Sequence, residues 1–222
     1  SKACTNLTVA GADRLYKQYE TIRQNYHGAP DSKLFSFDAE LIEKLINNLK
    51  RGKAAGLDEL TVEHLQHCHA LLPAILAKLF NIMLHNGHVP PSFGQSYTVP
   101  IIKDKRNIYG KSVSVDDFRG ISISPVLSKL FELCILDRYQ SFFSTSDNQF
   151  GFKKSTGCSH AIYTLRCAID SYTSCGSTVN LCAIDLSKAF DKMNHHGLLI
   201  KLMEERIPVN LLYSLDNWYS SG

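Results

Sequence analysis

The stretch VNLCAIDLSKAFDKMNH, from Val179 to His195, holds the strongest chemical signal in the chain. Thr178 to Ile184 is apolar and reads as a buried strand, which would deliver one carboxylate, Asp185, to its end. Asp191 follows six residues later, beyond a turn of helical pattern. Hard cations such as Mg²⁺ take oxygen ligands and keep several waters, so a strand-end Asp joined by carboxylates from elsewhere makes a metal site. The same residue also suits the N-cap of a following helix, and spacing alone leaves both readings open.

Three further clusters carry possible chemistry. Lys103 ends one strand-like run and Arg119 begins the next, so a hairpin would present both to one ligand. A nucleoside triphosphate, with about four negative charges, suits such a pair, although a solvated basic loop has the same composition. In Gln149-Phe150-Gly151-Phe152-Lys153-Lys154, aromatic rings, a glycine and lysines stand together. That combination stacks bases and holds phosphates, and it also occurs in docked surface turns. His64, His67, Cys68 and His69 share a short helical stretch. No second ligand pair at zinc spacing lies nearby, which leaves a surface helix as the simpler reading.

Positioning these groups falls to mostly helical elements. Leu41, Ile42, Leu45, Ile46 and Leu49 lie at helical spacing between a cap at Asp38 and a stop at Gly52. Asp58 reads as the N-cap of a helix through about His69, and Pro73 opens another that Gly87 closes. Tyr97 to Ile102 and Phe118 to Ser124 read as the strands of a hairpin whose long tip is polar and basic. Ser124 and Pro125 start a helix to about Phe143 that buries Leu127, Leu130, Phe131, Cys134 and Ile135. Further helices are expected near 158–173, 196–206 and 209–219. Residues 1–30 show little periodicity and read as a weakly helical or irregular lead-in. The order describes an α+β chain whose sheet is too small to stand alone.

Bulk properties narrow the class without deciding it. With 44% hydrophobic and 20% charged residues among 222, the composition is that of an ordinary globular protein, not a disordered one. The formal charge of +3 is compatible with a nucleic-acid partner but does not argue for one. Seven scattered cysteines without a C-x-x-C pair suit free thiols in a reducing compartment. No apolar run approaches the ~20 residues of a membrane span, so no membrane partner is expected.

Taken in order, KAAGLDELTVEHL, TVPIIKDK, DDFRGISISPVLSKLFELCILDRY, NQFGFKKSTG and AIDLSKAFDKMNHHGLLIKL resemble the reverse transcriptase domain of non-LTR (LINE-type) retrotransposons, over roughly residues 35–220. The resemblance implies a right-hand polymerase fold with a 1–34 lead-in, a 35–175 fingers-like region and a 176–222 partial palm. It also implies RNA-directed DNA polymerisation from an RNA template, a DNA primer and deoxynucleoside triphosphates, with two Mg²⁺ ions in the complete enzyme. Asp185 matches the first palm aspartate, which binds the metals, and Leu186 the position whose carbonyl completes a metal shell. Phe190 matches the ring that excludes a ribose 2′-OH. Lys103 and Arg119 match the fingers cations on the triphosphate, and Gln149, Gly151, Phe152 and Lys153 the segment lining the template–primer channel. The family's biology implies an intracellular protein of nucleus and cytoplasm.

Two departures accompany the resemblance. Where the family has Arg-Pro-Ile-Ser, this chain has Arg119-Gly120-Ile121-Ser122, which is expected to loosen the backbone beside Arg119. The sequence also stops before the family's paired palm aspartates and its thumb, so the fragment is expected to be inactive alone. The alternative is a decayed or co-opted element that at most binds nucleic acid.

Overall fold

The computed structural model describes residues 9–30, 35–103, 114–143, 145–186 and 189–220. These fall into two compact units: a larger one of Leu7–Phe142 with Asn194–Gly222, and a smaller one built on Phe143–Met193.

The larger unit is organised around α2 (Ala39–Asn48), α4 (Leu72–Asn86) and α6 (Val126–Arg138). Asp38 caps α2 by accepting a hydrogen bond from the Leu41 amide at 2.7 Å, and its carboxylate also pairs with Arg138 of α6. Leu41, Ile42 and Ile46 fill one face of α2, facing Leu76, Phe80 and Met83 of α4. Phe131 of α6 closes the centre, with its ring centroid 5.0 Å from Phe80 and 5.5 Å from Trp218. Removing each such side chain from water is worth about 1.5–3 kcal/mol. Asn81 stitches the start of α2 to α4, accepting from the Phe37 amide at 2.8 Å and donating to its carbonyl at 2.7 Å. The helix α4 ends on Gly87 in the left-handed region (φ 59°), where an added Cβ would lie 2.8 Å from Cβ of Tyr213. Between α2 and α6 come α3 (Val62–Gln66) and α5 (Pro91–Gly94). The unit is completed by α8 (His195–Glu204), capped by Asn194 through the Gly197 amide, and α9 (Val209–Ser220), which packs on α4.

Strands β1 (Tyr97–Ile102) and β2 (Phe118–Ile123) form an antiparallel pair, in a register that sets Tyr97 opposite Ile123 and Ile102 opposite Phe118. The hairpin expected from the alternating pattern is therefore present. Most of its basic tip, residues 104–113, lies outside the described residues. Gly120 sits in the ladder opposite Pro100, and β2 runs unbroken through it. Beside Arg119 the Gly120 backbone is thus part of the regular pairing with β1.

Three expectations about the elements need correction. The supposed lead-in contains a regular helix, α1 (Val9–Gln24), which packs on α8 with Tyr19 buried and its ring tilted against His196. Its anchors, Leu15, Tyr19 and Ile22, do lie at helical spacing, but polar residues surround them and dilute the period. Asp58 caps no helix; it accepts from the Leu60 amide at 3.2 Å within a turn. The helix after it, α3, starts later, with Thr61 and His64 forming its capping box. Finally, Thr178 to Ile184 is not a strand: residues 177–186 have no regular secondary structure. A strand needs a neighbour to take its amides and carbonyls, and among the described residues only β1 and β2 pair. The helical pattern expected after Asp185 is likewise a pair of turns over residues 189–192, with Ser187 and Lys188 outside the described residues.

The smaller unit consists of a turn-rich loop, α7 (Cys158–Ser174) and the extended run that carries Asp185. None of its described residues is buried. No described helix in either unit is long and apolar enough to cross a membrane.

Candidate nucleotide and nucleic-acid site

The candidate residues divide between the units. Asp185, Leu186, Phe190, Gln149, Gly151, Phe152 and Lys153 belong to the smaller unit, and Lys103 and Arg119 to the larger.

In the smaller unit the loop from Ser146 to Thr156 is held by its own polar groups. Lys153 Nζ donates to the Ser146 carbonyl at 2.7 Å and lies 3.9 Å from the Asp147 carboxylate. Gln149 Nε2 donates to the Gly151 carbonyl at 3.1 Å, and the Thr156 hydroxyl donates to the Phe150 carbonyl at 3.1 Å. At the crown of this loop Phe152 adopts φ 60°, a left-handed conformation unfavourable for a bulky side chain. Its ring is 95% exposed, so no burial offsets the backbone cost. The ring meets Phe190 edge-on, centroids 6.2 Å apart at 88°, and Phe190 is itself 73% exposed. Thus two residues expected to touch template and nucleotide come together although 38 positions separate them in the sequence. Nothing in their spacing foretold that pairing. Two open rings in contact, held by a self-bonded loop, form a surface on which a base or sugar can rest.

Asp185 and Leu186 lie on the extended run, exposed, beside Ile184, which is 87% exposed. From these positions the chain offers one carboxylate and one carbonyl. Among the described residues no group of three or more His, Cys, Asp or Glu side chains could hold a metal ion. A pair of Mg²⁺ ions needs more oxygen ligands than this, so the described residues by themselves do not fit such a centre.

In the larger unit the hairpin presents its two cations at one end. Arg119 is paired with Ile101, and the Lys103 amide donates to the Asp117 carbonyl at 2.9 Å just beyond the last pair. Ile101 and Arg119, directly opposite in the ladder, share one face of the ribbon, and Lys103 follows one residue beyond the end of β1. Both cations are exposed. The geometry suits a polyanion laid across that face near the tip.

The histidine cluster is used differently. His64 Nδ1 accepts from the Thr61 amide at 3.0 Å and lies 3.1 Å from its hydroxyl, so this ring serves the start of α3.

No family model matches the chain. Comparison with curated proteins finds it 30% identical over 173 residues to the RNA-directed DNA polymerase from mobile element jockey of Drosophila funebris. The match covers 73% of this chain and 18% of that protein. In Drosophila melanogaster it is 26% identical over 174 residues to the probable RNA-directed DNA polymerase from transposon BS. It is also 27% identical over 152 residues, 67% of this chain and 14% of the relative, to the Pol polyprotein from the type-2 retrotransposable element R2DM. The chain thus spans under a fifth of the length of the curated relatives it matches.

Proposed function

We infer that the chain, a relative of the RNA-directed DNA polymerases of mobile elements, is part of the reverse transcriptase domain of a non-LTR, LINE-type retrotransposon. The observation that carries this reading is the 30% identity over 173 residues, a match that covers 73% of this chain. Its fingers-like region is 35–175 and its partial palm 176–222, after a lead-in over 1–34, in a right-hand polymerase fold. These segments describe ancestry, whereas the two compact units describe packing.

The proposed activity is transfer of a deoxynucleotide to a primer 3′-OH, copied from RNA. In it, Lys103 and Arg119 neutralise the triphosphate from one face of the hairpin, charge-assisted contacts that a guanidinium makes in pairs. Phe190 closes the space under the sugar, so an added 2′-OH meets the ring. Phe152, touching Phe190, offers a stacking face to the template–primer, with Gln149, Gly151 and Lys153 fixing the loop that carries it. Asp185, with the Leu186 carbonyl, supplies this chain's share of a Mg²⁺ site, and the remaining ligands must come from outside the described residues. Bound Mg²⁺ would supply Lewis acidity to the phosphoryl transfer. The same reading places the protein inside the cell, in nucleus and cytoplasm.

Primer extension by a polypeptide of the relatives' length that carries this stretch tests the reading. Asp185→Ala is expected to abolish extension, and Phe190→Val to admit ribonucleotides. Unchanged extension in Asp185→Ala would remove that residue from the chemistry. Salt-sensitive binding of primer–template without extension in the unaltered polypeptide would instead mark a relic that binds nucleic acid.

A further inference from the structure

Five elements of the larger unit meet at a small cavity of about 110 Å³. It lies between the end of α2, the loop after it, the start of α3, the end of the hairpin and the start of α6. Lys50, Lys53 and Lys129 line it, together with Thr61 and Ser124, over an apolar floor. No carboxylate lines it. Three lysines at one small cavity match the formal charge of the whole chain, +3, so the site is far more positive than the average surface. Glu132, three residues after Lys129, interacts electrostatically with that lysine but does not line the cavity, and two other nearby acids are engaged elsewhere. Glu63 accepts from the Gly52 amide at 2.7 Å, a bond that holds its carboxyl below the usual range, and Asp58 accepts from the Leu60 amide.

The wall bearing Lys53 is fixed to the rest of the unit. Gly56 is buried against the junction of β2 and α6, where an added Cβ would lie 2.7 Å from Cα and N of Pro125. The Tyr97 hydroxyl donates to the Ala55 carbonyl at 3.0 Å, tying the same loop to β1. The lysines therefore stand on elements whose spacing is set by packing rather than on a free loop. Sequence positions 50, 53 and 129 give no hint of this convergence.

We propose that this cavity seats a backbone phosphate of a single-stranded nucleic acid, gripped by Lys50, Lys53 and Lys129. Its volume is well below the ~300–1,000 Å³ of pockets that enclose whole ligands, so it takes the phosphate group and leaves sugar and base outside. Recognition through the backbone is independent of sequence, and each contact releases counterions from the strand. The choice of nucleic acid over other phosphate carriers rests on the reverse transcriptase reading.

The test is fluorescence anisotropy of labelled single-stranded RNA with the 222-residue chain, repeated across a salt series. A triple variant, Lys50→Gln, Lys53→Gln and Lys129→Gln, is compared with Lys53→Arg, which keeps the charge. With one phosphate seated, the triple variant lowers the slope of log K against log salt by about 0.7 and weakens binding about fivefold at ~0.1 M salt. Lys53→Arg stays close to the unaltered chain, and circular dichroism reports an unchanged helix content. Equal RNA binding and slope in the triple variant overturn the proposal while leaving the polymerase reading intact. No salt-dependent RNA binding by the unaltered chain overturns both. Inorganic phosphate that binds in a lysine-dependent way without displacing RNA makes this a small-anion pocket and also overturns the assignment.

Discussion

Helices α6 and α7 make an instructive pair. The first has 13 residues and buries six, among them Leu130, Phe131, Cys134 and Ile135. The second has 17, with Ile162, Leu165, Ile169 and Tyr172 at helical spacing, and buries none. Ile162 is 66% and Tyr172 62% exposed. Local propensity and an apolar period are thus enough to form either helix, but they say nothing of what covers the face. In α6 the covering side chains come from α2, α5 and the rings of Phe80 and Trp218. The whole smaller unit repeats the behaviour of α7: its rings, its extended run and its candidate metal ligand stay open, while the larger unit holds every buried hydrophobic side chain among the described residues. The candidate metal ligand and the open aromatic pair thus lie outside the unit that holds the core, whereas the candidate cations belong to it.

Thiol labelling offers the sharpest way to break this comparison. Cys134 on α6 is buried, and its apolar surroundings push its thiol up to about 12. Cys158, Cys167, Cys175 and Cys182 of the smaller unit are exposed. Under native conditions a small alkylating reagent should modify these four within minutes, as located by peptide mapping. Cys134 should react only through unfolding, slower by several orders of magnitude given a stability of ~5–15 kcal/mol. Rapid modification of Cys134, or protection of Cys167, would remove the contrast between the two helices.

Truncation of single side chains sharpens it in energy. Leu130→Ala empties a site that is fully buried and should cost about 2–5 kcal/mol in denaturant unfolding. Ile184→Ala removes a larger aliphatic group than many core changes do, yet its side chain is 87% exposed and the cost should stay within ~0.5 kcal/mol. A large loss from Ile184→Ala would mean that the extended run before Asp185 is covered in solution.

What the sequence made legible follows the same division. Where the chain supplies both faces of a contact, periodicity and caps located the elements closely: Asp38 before α2, Gly87 after α4, the hairpin pairing that sets Arg119 opposite Ile101. The failures have separate physical causes. Thr178 to Ile184 has the composition of a strand, but strand formation depends on a partner that composition does not reveal. Tyr19 anchors α1 from within a polar helix, so its burial reflects α8 and not its own neighbours. Asp58 lost its capping role to Thr61 because the intervening turn, with Glu59 at φ 58°, delays the helix start. In the candidate site, spacing singled out Asp185, Lys103 and Arg119 individually. Neither the contact of Phe152 with Phe190 nor the meeting of three lysines at one cavity has any signature along the chain.

Phe152 carries the comparison down to one residue. In the larger unit, aromatic rings such as Phe131 are packed and their backbones ordinary. In the smaller, a fully open ring is held at φ 60°, a placement that costs about 1–2 kcal/mol in a non-glycine residue. Phe152→Asn should relieve part of that cost, since asparagine enters the left-handed region readily, and should leave proteolytic nicking of residues 145–157 unchanged or slightly slower. If the ring serves as a stacking platform, the same substitution should weaken single-stranded RNA binding by about 1–3 kcal/mol, roughly 5- to 160-fold. Faster nicking with unaltered RNA binding would show that its edge-on contact with Phe190 holds the loop, so that the ring serves structure and not the strand.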